Sequence, residues 1–205
     1  ALYAFDVTTP ASPSLKWKVG CPNLANDTDC TTGWTQIGQT WSPATPIKVP
    51  GYNSGTTPVL IMGGGYDSCE DFDAQTAGGA NNTCTSPKGN RIFVLDGDTG
   101  ALLQTLNTDR SVVGQVTVVP DNSGNIRYAY ATDTGGNIYR IAGIGGAAEI
   151  GSTAPGSWTI TKIASLGCDN ATTSCTANRK FLFGPDVVEN SGVFSILVGS
   201  GDREK

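Results

Sequence analysis

The sequence predicts an all-β fold, part of a β-propeller of antiparallel blades with disulfide-stapled loops, and three observations predict it. First, an apolar alternating run, a Gly-rich or polar turn and a second run recur as one phrase. The copies are Ala1-Leu-Tyr-Ala-Phe-Asp-Val-Thr8 leading to Leu15-Lys-Trp-Lys-Val19, then Asn90-Arg-Ile-Phe-Val-Leu-Asp-Gly-Asp-Thr-Gly100, then Gly136-Asn-Ile-Tyr-Arg-Ile-Ala142 leading to Trp158-Thr-Ile-Thr-Lys-Ile163. A period of about 45 to 65 residues with several short strands per unit is how propeller blades read. Second, Gly (27 residues), Thr, Ser and Asn abound while no window carries an apolar stripe of helical period, so strand and turn dominate. Third, short Asn, Ser or Gly turns separate paired apolar runs, which is a hairpin signal.

Taken in order, residues 1–40 read as the back half of one blade, 41–106 and 107–166 as two further blades, and 180–205 as the start of another, all within one propeller domain spanning 1–205. Each of the last three frames opens on a strand pair. These are Pro46–Pro50 with Val59–Gly65, Gly114–Val119 with Tyr128–Ala131, and Gly184–Val188 with Phe194–Gly199, turning at Tyr52-Asn-Ser-Gly55, Asp121-Asn-Ser-Gly124 and Glu189-Asn-Ser-Gly192. Gly63, Gly64, Gly65, Gly199 and Gly201 read as places where backbones approach closely. A phosphate loop is the alternative, but no Gly-Lys-Ser/Thr follows and no helix begins there. The chain opens directly into a strand and shows neither signal peptide nor transmembrane segment, so it reads as cut from something longer. Propellers need about four to eight blades to close, so the remainder of its own propeller is an expected partner.

Charge and cysteine usage bound the function. A net charge of -5 disfavours a nucleic-acid partner, which wants a basic face. Histidine is absent, and with it serine-histidine and cysteine-histidine catalysis within this chain. The six cysteines fall into neighbouring couples, Cys21 with Cys30, Cys69 with Cys84, and Cys168 with Cys175, each set in Asn, Asp, Thr and Gly. The spacing suggests local disulfides without proving them. A zinc site is the alternative, but no couple has the two-residue spacing of a zinc knuckle. Disulfides point to an oxidising compartment.

Several phrases in series carry a family resemblance: Val59-Leu-Ile-Met-Gly-Gly-Gly-Tyr-Asp67, Lys88-Gly-Asn-Arg-Ile-Phe-Val-Leu-Asp-Gly-Asp-Thr-Gly100, Thr108-Asp-Arg-Ser-Val112, Tyr128-Ala-Tyr-Ala-Thr-Asp-Thr-Gly-Gly-Asn-Ile-Tyr-Arg140 and Gly199-Ser-Gly-Asp-Arg-Glu204. Together they resemble the C-terminal propeller of the PilY/PilC proteins, tip-associated biogenesis factors and adhesins of bacterial type IV pili. The resemblance implies a modified β-propeller, secretion, display at the pilus tip or outer surface, and roles in pilus extension and adhesion with minor pilins or a surface ligand as partners. It also implies a calcium loop, which falls here on Asp121, Ser123 and Asn125. The fourth carboxylate of that pattern is replaced by Ala129, so the loop is expected to be a degenerate site that serves as a plain hairpin turn.

A second cluster is visible from the residues alone. Asp67, Glu70, Asp71 and Asp73 crowd into seven positions, where four carboxylates repel unless solvated or bridged by a cation such as calcium. Asp96 and Asp98 are expected to bond their own turn backbone. Asn26, Asn81 and Asn170 fit the glycosylation pattern, which an Asn- and Thr-rich chain produces by chance. Trp17, Trp34, Trp41 and Trp158 read as interblade packing or as a sugar platform, with Trp17 and Trp158 assigned to the core.

Three function classes compete. A non-enzymatic pilus-tip assembly and adhesion module is favoured by the ordered phrases and the cysteine couples. A quinoprotein-type dehydrogenase shares the Asp98-Thr-Gly100 turn but wants a vicinal cysteine pair and a regular tryptophan repeat, both missing. An outer-membrane assembly scaffold would not need three cysteine couples. Within the favoured class the long, polar, acidic Cys69–Cys84 excursion is the expected contact loop.

Overall fold

The computed structural model describes residues 1–70, 87–167 and 179–201. Twelve strands occupy them: β1 Leu2–Asp6, β2 Ser14–Val19, β3 Thr45–Ile47, β4 Val59–Gly63, β5 Arg91–Asp96, β6 Leu102–Asn107, β7 Thr117–Pro120, β8 Ile126–Thr132, β9 Asn137–Ala142, β10 Thr159–Ser165, β11 Asp186–Asn190 and β12 Val193–Leu197. They form two four-stranded antiparallel sheets, β3-β4-β5-β6 and β7-β8-β9-β10, flanked by the hairpins β1-β2 and β11-β12. The two complete sheets span residues 45–107 and 117–165. Every predicted strand pair forms, and among the described residues helices are confined to single turns of three residues.

Alternation explains why the sheets stack. In β5 the even-numbered Ile92 and Val94 join one apolar cluster with Ile61, Ile126, Ala129 and Ile141, while Phe93 and Leu95 join a second with Val19, Trp34, Ile37 and Met62. A strand buried on both faces belongs to the middle of a stack, so the first complete sheet lies between hairpin β1-β2 and the second sheet. Trp34 fills the first seam, its ring stacked on Phe93 at 4.6 Å and 7°. Trp158 is buried in the second and donates from Nε1 to Thr153 O at 2.9 Å. Trp17, half-buried, donates to Gly97 O at 3.1 Å and so ties the first hairpin to the β5–β6 turn.

Glycine seams close the innermost strands. A Cβ at Gly63 would meet the Val112 backbone, and one at Gly114 would overlap Gly184 and Phe183. Gly63, Gly64 and Gly65 therefore act as expected. Gly199 and Gly201 do not, because a Cβ at either would meet nothing within 4 Å. Their expected role is corrected: Gly201 N donates to Lys180 O at 3.1 Å, but at neither position would a side chain obstruct a neighbouring backbone.

Because the strands alternate in direction, connections fall at two ends. One end holds the turns 7–13, 48–58, 97–101, 121–125, 143–158 and 191–192. The other holds 20–44, 108–116 and 133–136, together with the described stems of the connections 64–90 and 166–185, the segments that carry the six cysteines in sequence.

Candidate functional site

The end that carries the cysteine-bearing connections is the candidate binding face. Cys21 and Cys30 are joined in a disulfide, and Cys69 is disulfide-bonded as well. Cys84, Cys168 and Cys175 lie outside the described residues. The stems are held to one another. Asp27, inside the first loop, pairs with Lys88 at the stem of the second. Asp67 closes that stem: Oδ1 accepts from Cys69 N at 3.0 Å and Oδ2 from Lys88 N at 2.7 Å. Ser111 Oγ donates to Lys88 O at 2.7 Å, bringing in the β6–β7 connection. Gly167 and Arg179, which bracket the third excursion, both pack on the Gly135-Gly136 turn.

Glu70 binds this assembly from the inside. It is 3% exposed, its Oε2 accepts from Thr134 Oγ1, and its Oε1 lies 3.8 Å from Arg110 Nη1. Lys180 Nζ donates to its carbonyl oxygen at 2.6 Å. One residue at the root of the second excursion thus reaches the second sheet and the lead-in to β11. Burial holds its carboxyl above the ordinary range, against the opposing pull of Thr134 and Arg110.

Beside it sits Asp133, fully buried. Its Oδ1 accepts from Gly135 N and Asn137 N, each at 3.0 Å, and its Oδ2 from Tyr139 Oη at 2.8 Å and Arg110 N at 3.1 Å. Asn137 Nδ2 donates to both oxygens. Burial raises this carboxyl too, and burial together with the Asp133 charge raises the Tyr139 phenol. Sequence reading missed this hub. The signal was present, since Asp133-Thr-Gly-Gly-Asn137 repeats the Asp121-Asn-Ser-Gly-Asn125 phrase.

Of the candidate metal ligands, those among the described residues bond to protein groups. Asp67 and Glu70 turn to different partners, and Asp71 and Asp73 lie outside the described residues. Asp121, Ser123 and Asn125 stand at the opposite end. There Asp121 Oδ1 accepts from Ser123 N and Asn125 N at 2.8 Å and Oδ2 from Asn125 Nδ2 at 2.9 Å, which is a self-closed hairpin turn. Those bonds, the Asn125 amide foremost, hold Asp121 below the ordinary carboxylate range. Among the described residues the one cluster with metal-ligand spacing is Cys21, Asp27 and Cys30, whose sulfurs are spent on each other. Asp96 behaves as expected, accepting from Asp98 N and Thr99 N at 2.8 Å. Asp98 does not: its carboxylate pairs with Lys16 of the first hairpin at 2.8 Å.

A groove of about 420 Å³ opens at the same end, where the lead-in segments of β3, β7 and β11 meet. Trp41 (63% exposed) and Phe183 (73%) form its walls. Trp41 is backed by Tyr66, the rings 5.8 Å apart at 17°.

No protein-family model matches the sequence, and no curated protein matches it either. The crystal structure of the Pseudomonas aeruginosa PilY1 C-terminal domain does match the fold, with a TM-score of 0.60 at 20% sequence identity over 97% of this chain. The chain spans 38% of the length of that one. Over nearly its whole length, therefore, this chain has the fold of a part of the PilY1 C-terminal domain.

Proposed function

We propose that the chain is part of a non-enzymatic, type IV pilus-related propeller at the bacterial surface, which presents one end to minor pilins or to a surface ligand. The observation that carries the reading is the convergence of the stems of all three cysteine-bearing excursions on one end, tied by Asp27–Lys88, Ser111–Lys88 and Glu70–Thr134. Loops held on a rigid scaffold are the usual place of recognition. The fold of the PilY1 C-terminal domain and the series of family phrases support the pilus assignment. The disulfides support an oxidising, extracytoplasmic location. Among the described residues no helix is long and apolar enough to cross a membrane.

Replacing Cys69 and Cys84 by serine in the protein at its natural length tests the reading. Piliation or adhesion is expected to fall while the propeller stays folded by circular dichroism; unchanged piliation and adhesion with intact fold would remove the second excursion from the contact. Calcium modulation belongs to the finer part of the reading and rests on Asp71 and Asp73, since the carboxylates of Asp67, Glu70 and Asp121 are already engaged. In a calorimetric titration with calcium, heat that disappears on joint Asp71→Ala and Asp73→Ala replacement supports it, and absence of heat removes it.

A further inference from the structure

We propose that the groove between Trp41 and Phe183 docks an extended, uncharged, apolar peptide segment of a partner protein. The proposal rests on the reading that this end of the propeller is its binding end. Four features select that occupant. None of the ten residues lining the groove is charged, although the chain carries 13 basic and 18 acidic residues. A charge brought into such a groove would lose its water and find no counter-ion.

The Trp41 wall and the backbone of the Phe183 wall are held in place. Tyr66 backs the Trp41 indole and is itself hydrogen-bonded in both directions to Gln39 at 2.8 Å. On the other side Thr132 Oγ1 donates to Phe183 O at 2.9 Å. Exposed aromatic side chains flanking a pocket of this size are what protein interfaces use as anchoring points.

The floor shows what kind of chain fits. It is bare backbone, Gly114 against Gly184, and the molecule already packs one segment of its own there: Phe183-Gly184-Pro185 crosses Val113-Gly114-Gln115, and Thr117 Oγ1 donates to Pro185 O. A segment rich in Gly or Pro and carrying an apolar side chain would insert between the two aromatic walls. A saccharide fits less well. The side-chain polar groups of the lining are Gln115, Thr117 and the Trp41 indole N–H; Thr117 already donates to Pro185 and Gln115 to Thr45, which leaves few to hold the hydroxyls of a sugar.

The probe is a blocked, uncharged ten-residue peptide of Gly, Pro, Phe and Leu, titrated into the 205-residue protein by calorimetry and by tryptophan emission. Trp34 and Trp158 are buried and Trp17 is half-buried, so emission changes report chiefly on Trp41. Saturable binding is expected. It should weaken at least tenfold in Trp41→Ala, in Phe183→Ala, and when a central Phe of the peptide is replaced by Asp. Both substituted positions are exposed, and far-ultraviolet circular dichroism verifies that the variants fold.

Lack of saturable binding overturns the proposal, as does binding indifferent to both substitutions. Saturation by maltohexaose in place of the peptide would assign the groove to saccharides instead. Loss of acrylamide quenching of Trp41 in the protein at its natural length would show the groove covered by the rest of the same chain, and would equally overturn the proposal. Any of these results leaves the Cys69 and Cys84 replacement test untouched, so failure of the groove is distinguishable from failure of the binding end.

Discussion

At the scale of single residues, what was legible was the chemistry of short turns, and what was not was which turns are buried. Asp121 and Asp133 begin near-identical phrases and make near-identical bonds to their Asn partners. One is half-exposed at the end of tight turns; the other is buried because Arg110, Tyr139 and the segment at Phe181 close over it. Arg110 and Phe181 lie 23 and 48 residues away in sequence, outside the β8–β9 hairpin, so no local pattern announces the burial. Glu70 was assigned to an acidic cluster for the same reason. Asp133→Asn puts an amide donor where an oxygen had accepted from three donors, and is expected to cost about 3 kcal/mol in urea unfolding. Asp96 behaves oppositely with pH. Burial would raise it, but Tyr52 Oη, donating at 2.7 Å, and the Thr99 and Asp98 amides hold it below its ordinary value. A lowered folded-state value contributes stability above the unfolded value that is lost as the pH falls through the folded one. Asp96→Asn should therefore cost about 1–3 kcal/mol at neutral pH. Its penalty should shrink toward zero at acid pH, and an equal penalty at both would contradict this account.

At the scale of elements, the strands were legible because apolar period two and Asn-Ser-Gly turns act locally, and the three strand pairs marked by those turns form where the signals put them. The glycines divide according to what lies opposite. Gly114→Ala would force a Cβ into the Gly184 backbone and is expected to destabilise by about 3 kcal/mol, whereas Gly199→Ala, with open space around it, should leave the melting temperature unchanged. Thermal unfolding of the pair separates a seam from a surface position in one measurement. The Cys21–Cys30 bridge closes a loop of separation 9. Its removal by paired serine replacement is expected to cost about 2–3 kcal/mol, read from denaturant midpoints. A near-zero cost would show the loop held by Thr31, whose N–H donates to Gly20 O at 2.8 Å, and by Lys88.

At the scale of the whole molecule, the stack has a graded order. The two complete sheets share one large apolar cluster, while hairpins β1-β2 and β11-β12 expose Phe5, Leu15, Val193 and Leu197. Native-state hydrogen exchange should therefore be slowest in β4, β5, β8 and β9 and fastest in the two flanking hairpins. Protection equal across all twelve strands would show that the hairpins unfold only with the core. Arg127 couples the last hairpin to the second sheet, bridging Glu149 and Glu189 and lying over the Phe194 ring at 5.2 Å.

The glycine seam has a consequence for how such a chain can grow. Where two lead-in segments meet as bare backbone, Gly114 on Gly184, nothing in the contact distinguishes one blade from another. Discrimination has to come from the polar ties, Glu70 to Thr134 and Lys180 above all. A duplicated or exchanged unit would thus dock on the seam without a matching partner change, and its place in the series would be set by a handful of buried polar residues. In a modular protein of this kind, blade number and blade order are separately adjustable: the first is permitted by the absence of side chains, the second imposed by their presence.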